Sequence, residues 1–175
     1  MTWLLDVSLI VAIPLTLEAV HAGRNERAQL ARGWVEATGD VYKLMRVAYP
    51  LAFAAMIAEG ASAGGQWPRT FAAGLIAFAL GKTLKWWAIL TLGRSWTFRV
   101  IVVPGMRLVE GGPYKFLRHP NYVGVVLELI GVALMTGAAV SGPLAVVLFG
   151  TLLKRRISVE ERALAAAARY PPCSL

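Results

Sequence analysis

The chain has 175 residues, 57% of them apolar and only 16% charged, with a formal net charge of +8 and a mean hydropathy of +0.59. A soluble globular domain is nearer a quarter charged, so this balance excludes an ordinary soluble domain and points to a membrane. The basic residues lie in short polar segments between apolar runs, which fits membrane orientation better than a nucleic-acid-binding stripe, and the lone cysteine, Cys173, excludes an internal disulfide framework.

The first apolar run is Trp3 to Val20, with Asp6 at its outer end, Glu18 at its inner end and Pro14 inside it. Membrane helices tolerate such a proline when neighbours satisfy the freed carbonyl. No basic n-region precedes the run, so it reads as a span and not as a cleaved signal. The polar stretch His21 to Asp40 suits either a short amphipathic interfacial helix or a solvated loop. The second run, Val41 to Ala58, contains Pro50, and a loop of small residues runs from Glu59 to Pro68. The third run, Thr70 to Leu92, carries Lys82 and Lys85, whose spacing puts them on one face. A charge inside a span faces protein or water, or snorkels to the interface, and both readings stand for this pair. Trp86 and Trp87 fit an interfacial belt.

From Gly93 to Asn121 there is no span, and the branched and aromatic stretch Thr97 to Val103 suits an extended conformation. The fourth run is Tyr122 to Val140, closed by Ser141-Gly142-Pro143. The fifth, Leu144 to Leu153, is short against the ~20 residues of a typical span, so the two read as a tight helical hairpin. Lys154-Arg155-Arg156 marks a membrane surface, and Ser158 to Glu161 continues as a helix beyond it.

These runs predict an all-α polytopic membrane protein of five transmembrane helices, forming a single domain over residues 1–175. Of the 18 Lys and Arg residues, 15 fall in the first loop together with the start of the second run, the segment before the fourth helix and the C-terminal segment. The positive-inside bias then sets the amino terminus outside and these three segments in the cytoplasm.

The chemistry is concentrated between Arg107 and Glu128: Arg107-Leu-Val-Glu-Gly-Gly-Pro-Tyr-Lys-Phe-Leu-Arg118-His119-Pro120-Asn121-Tyr122, then an apolar helix reaching Glu128. The glycines allow close approach of a ligand to the backbone, and Pro120 suits a first helical turn. Taken singly, Gly-Gly-Pro is a turn and Arg-His at a helix end is an interfacial anchor. Glu128 lies nearly two turns into the fourth helix, where a carboxyl needs a partner or a proton. It suits a base or acceptor-orienting group, and equally an interhelical salt bridge to Lys82, Lys85 or Arg156.

As a whole the run resembles the isoprenylcysteine carboxyl methyltransferase family, in which Leu-Val-x-x-Gly-Pro-Tyr leads into Arg-His-Pro-x-Tyr, as Leu108 to Tyr122 does here. That family's second signature, an arginine followed by paired glutamates, is matched by Arg156 to Glu161, and the similarity covers about Leu80 to Leu164. The resemblance implies a small integral-membrane enzyme, at home in a bacterial inner membrane, with S-adenosyl-L-methionine held in a cytoplasmic pocket. It implies a cofactor pocket enclosed by the two signature segments, with cofactor binding by Leu108, Val109, Gly112, Tyr114, Arg118, His119, Tyr122, Glu160 and Glu161. From their own chemistry Glu128, Arg156 and Arg99 are expected on the catalytic side, and no metal is expected. Arg118, His119 and Arg156 suit the donor's carboxylate, the glutamates its ammonium or ribose hydroxyls, and the tyrosines its adenosine. Where the eukaryotic enzymes carry a histidine ahead of the motif, this chain has Arg99, able to hold an anionic acceptor but a poor base.

The expected partners are the bilayer and a lipophilic acceptor, isoprenoid-like or alkylresorcinol-like, methylated at a carboxylate or phenolic oxygen. No nucleic acid and no obligate protein partner is expected. Two other classes compete. Membrane sterol reductases, which use NADPH, carry a segment similar to His119-Pro-Asn-Tyr122, and a non-catalytic membrane subunit would use its polar loops only as anchors.

Overall fold

The computed structural model describes residues 2–31, 35–64, 67–102 and 109–167. The predicted helical bundle is the fold: α1 (Thr2–Leu30), α2 (Tyr42–Ser62), α3 (Phe71–Leu92), α4 (Pro120–Thr136) and α5 (Ser141–Ala167). A two-residue antiparallel ribbon joins β1 (Val35–Glu36) to β2 (Ile101–Val102); β2 lies within the stretch predicted to be extended, and β1 within the stretch read as an interfacial helix or a loop. Three helices, α1, α2 and α3, are long and apolar enough to cross a membrane. The apolar α4 has 17 residues and folds back on α5 as the predicted hairpin.

Helix boundaries differ from the apolar runs in two places. His21 to Leu30 is neither a separate interfacial helix nor a loop but prolongs α1 without a break. The segment Arg24 to Leu30 is built of good helix formers and contains no proline. The fourth helix stops at Thr136, short of Val140, because Gly137 adopts the left-handed conformation (φ 68°, ψ 25°) and closes it. The next helix then starts at Ser141, and Glu59 of α2 caps it from across the bundle. Its carboxylate accepts from the Val140 and Ser141 N–H groups (2.9 and 2.7 Å) and from the Ser141 hydroxyl (2.5 Å).

The closest helix pair is α3 with α4. A methyl group at Gly74 would lie 2.6 Å from the Gly131 carbonyl oxygen, and one at Gly81 would lie 2.9 Å from that of Gly124. Backbone-to-backbone contact of this kind suits lipid, where dispersion between small residues drives association. Side chains from all five helices, including Val7, Phe53, Phe78, Leu129 and Phe149, fill one core. At one end of the bundle Trp3 meets Trp67, ring centroids 5.9 Å apart, and the Thr70 hydroxyl donates to the Leu134 carbonyl (2.7 Å). The ribbon, the segment before α4 and the second half of α5 gather at the other end.

Candidate active site

The polar end is built where α4 begins. Gly112 has φ +54° and opens a short 3-10 turn to Lys115. The sequence predicts Gly112 as a point of ligand approach, but its open side is taken by α3: a methyl group there would run into Thr91 and the Trp87 indole nitrogen. His119 precedes the first turn of α4 (φ −131°, ψ 64°), and Pro120 occupies the position where a missing N–H costs nothing.

Around this turn the two signature segments meet. The Tyr122 hydroxyl donates to Glu160 Oε2 (2.5 Å) and accepts from Arg156 Nε (3.0 Å). The His119 ring stacks on Tyr122, centroids 5.4 Å apart, with Nε2 at 3.4 Å from Glu161 Oε1 and Nδ1 at 3.9 Å from Glu160 Oε2. Arg118 is 91% exposed and reaches Glu161 at 3.8 Å. Tyr114 lies partly buried within reach of the Glu160 charge. Burial first, and that charge second, push its phenol well above the ordinary tyrosine range, so it stays a neutral phenol. Val109 is partly exposed just ahead of the turn, and Leu108 lies outside the described residues. Asn121 buries its Oδ1 without a hydrogen-bond partner among the described residues.

Two predicted catalytic residues are otherwise engaged. The sequence has Arg156 meeting a donor carboxylate, but the buried guanidinium is already used: Nη1 donates to Asp40 Oδ1 (2.9 Å), Nη2 to the Phe98 carbonyl, and Nε to Tyr122. Arg99 pairs with Glu36 (2.7 Å) and with Glu26 (3.6 Å). The Glu36 hydrogen bond and charge push the Arg99 guanidinium up, so it stays a cation.

Glu128 resolves to the salt bridge among the two readings left open. Its carboxylate is fully buried, 2.8 Å from Lys82 and 3.3 Å from Lys85. Glu18 meets the same two ammonium groups at 2.8 and 2.7 Å, and the Tyr49 hydroxyl donates to Glu128 at 2.7 Å. Two anions and two cations thus alternate in a closed ring that joins α1, α3 and α4, with α2 attached through Tyr49. With both ammonium groups and the Tyr49 phenol on it, the carboxylate ties α4 to α3 and α2, which is the interhelical salt bridge of the two readings. The cleft of about 530 Å³ between α4 and α5 is lined by Thr70, Ile130, Leu134, Gly142 and Val147, at the opposite end from the signature residues.

Sequence reasoning missed Asp40 and left Glu18 without a role. Glu18 had a signal, being the one anion in the first apolar run deep enough to face two lysines in another. Asp40 had none.

Comparison with known proteins places the chain in a family. The model of the isoprenylcysteine carboxyl methyltransferase (ICMT) family matches residues 73–166. The chain is 34% identical over 165 residues to the uncharacterized protein YpbQ of Bacillus subtilis, covering 94% of this chain and 96% of that one. It is 25% identical over 142 residues to an uncharacterized protein of Haemophilus influenzae, 81% and 83% of the two chains. It is 32% identical over 90 residues to protein-S-isoprenylcysteine O-methyltransferase A of Arabidopsis thaliana, 50% and 46% of the two chains. No solved structure matches it.

Proposed function

The chain belongs to the isoprenylcysteine carboxyl methyltransferase family, a family of membrane methyltransferases. On that premise we propose that it transfers a methyl group from S-adenosyl-L-methionine to a carboxylate or phenolate oxygen of a lipophilic acceptor. The observation that carries this reading is the meeting of His119, Tyr122, Glu160 and Glu161 from two distant segments in one bonded cluster.

The side chains present fit such a donor. An exposed guanidinium, Arg118, stands beside a half-exposed carboxylate, Glu161, and a buried acceptor, Asn121 Oδ1, lacks a partner among the described residues. Arg118 would hold the donor's carboxylate and Glu161 its ammonium, while Glu160, aligned by Tyr122, would accept from a ribose hydroxyl. Tyr114 and the His119–Tyr122 stack would border the adenosine, with backbone groups of residues 108–112 at the adenine edge. When bound, S-adenosylmethionine supplies a methyl group already activated by its sulfonium, so positioning carries most of the rate and no strong base is needed. Arg156 and Glu128 act here through other residues and take no chemical step. We assign this end of the bundle to the cytoplasm, from the lysine and arginine distribution, and the acceptor to the bilayer.

Melting curves of the purified protein in detergent, with S-adenosylhomocysteine and with NADPH, test the reading. Stabilisation by the first alone supports it. Stabilisation by NADPH alone would move the chain to reductase chemistry, and a response to neither would leave a non-catalytic subunit. His119→Ala and Glu160→Ala should each weaken S-adenosylhomocysteine binding by at least ~1 kcal/mol. Folded variants that bind like the parent would remove these residues from the site.

A further inference from the structure

Asp40 lies between β1 and α2, outside the residues 73–166 that match the family model. Its side chain is nearly fully buried and every oxygen is used. Oδ1 accepts from Arg156 Nη1 (2.9 Å) and from the Tyr42 N–H (3.0 Å), and Oδ2 accepts from the Val100 N–H (2.9 Å). The Phe98 carbonyl takes the next donor of the same guanidinium. One edge of Arg156 is therefore gripped by Asp40 and Phe98, and this aims its Nε at the Tyr122 hydroxyl. Having accepted from Arg156, that hydroxyl turns its own proton to Glu160.

The segment that supplies Phe98 is braced by the same half of the chain. Asn25 donates to the Gly93 and Trp96 carbonyls, Gln29 donates to that of Arg94, and Glu26 accepts from the Phe98 and Arg99 N–H groups. All three bracing residues sit on the extension of α1.

Without the Asp40 carboxylate, Arg156 would keep a buried positive charge that must find another anion. Glu160 stands four residues ahead on the same helix, within side-chain reach. The guanidinium would turn to it, occupying that carboxylate and freeing Tyr122. We propose that Asp40 is a positioning residue for donor binding: it holds Arg156 on Tyr122, which keeps Tyr122 bonded to Glu160 and leaves the Glu160 carboxylate open to the donor. The amino-terminal half, which carries neither signature, thus completes the site. This rests on the methyltransferase reading above.

Two measurements test it, one of which needs no ligand. In 15N-labelled protein in detergent micelles, the Arg156 Nε–H resonance, assigned by its loss in Arg156→Lys, should exchange slowly with water. In Asp40→Asn that exchange should accelerate roughly tenfold or more, as expected when a buried charge-assisted bond is lost. Equal protection in both proteins would overturn the proposal.

The second is a double-mutant cycle on S-adenosylhomocysteine affinity. Asp40→Asn should weaken binding roughly tenfold in the parent, yet change it by less than about twofold in an Arg156→Gln background, because nothing is left for it to orient. Effects that multiply would overturn the proposal. Should Asp40→Asn fail to fold, Asp40→Glu decides: a retained carboxylate should keep affinity within about threefold of the parent, and a full loss of binding in that variant would count against Asp40. If the parent itself binds no S-adenosylhomocysteine, the methyltransferase reading fails, and the exchange measurement alone still decides whether Asp40 orients Arg156.

Discussion

Tyr122 is the centre of the polar cluster because a phenol can accept and donate at once. Its oxygen takes a bond from Arg156 while its proton goes to Glu160, and its ring carries His119. Tyr122→Phe removes both bonds and keeps the ring. The variant should fold and lose about 1–1.5 kcal/mol of S-adenosylhomocysteine binding by titration calorimetry, and unchanged affinity would show that the cluster is not the donor site. Tyr114 gives a complementary test. Burial and the Glu160 charge hold its phenol protonated through the neutral range, so Tyr114→Phe should leave the shape of the binding pH profile unchanged below the ordinary tyrosine range. Arg118, His119, Tyr122 and Glu160 were legible in the sequence because two compact motifs encode them. The anchors of Arg156 were not, since Asp40 lies 116 residues away and Phe98 58 residues away, and no local spacing rule spans such distances.

At the scale of helices, the alternating ring of Glu18, Lys82, Glu128 and Lys85 works as a unit. Its two anions balance its two cations, and removing any single member upsets that balance. Removing one member leaves an uncompensated charge inside the bundle, which costs about 3–5 kcal/mol, whereas removing an opposite pair costs less. Glu18→Gln should therefore lower the melting temperature in detergent by several degrees, and Glu18→Gln with Lys85→Gln should recover part of that loss. A single variant that melts with the parent would mean that the ring does not hold the helices. The glycine contacts between α3 and α4 make a second test. At Gly131 a methyl group would lie 2.6 Å from the Phe78 backbone nitrogen and 2.8 Å from the Gly74 carbonyl oxygen, so Gly131→Ala must push two backbones apart and should destabilise more than Gly23→Ala, which meets nothing. The lysine pair on one face was readable from its spacing, whereas the close approach of the glycines, seven apart on each helix, became apparent only in the fold. Which anion would close each contact required the helices to be placed side by side.

At the scale of the molecule, helix lengths bear on how the bundle sits in a bilayer. The 29 residues of α1 span about 44 Å, beyond the ~30 Å hydrocarbon thickness, which leaves its last turns free to brace the segment around Phe98. The 17 residues of α4 reach only about 25 Å, so a bilayer centred on the bundle must thin locally or leave the Gly137–Val140 turn near the hydrocarbon edge. Glu59 answers the second case. It satisfies the Val140 and Ser141 N–H groups where water is scarce and an unpaired donor would cost several kcal/mol. The number and order of the helices were legible from apolar runs. The end of α4 was not, because Gly137 stops the helix inside an apolar stretch and its cap comes from another helix. The proposed orientation, with the amino terminus outside, can be read by labelling single cysteines in a Cys173→Ser background. A cysteine at Ala63 should react with a membrane-impermeant reagent in intact cells, and one at Lys115 only after permeabilisation. A cysteine at Val140, 72% exposed in the bundle, should react from the same side as Ala63 but more slowly, since the short α4 keeps it close to lipid. Labelling of the Lys115 variant in intact cells would reverse the orientation and take the polar cluster away from the cytoplasmic pool of its proposed donor.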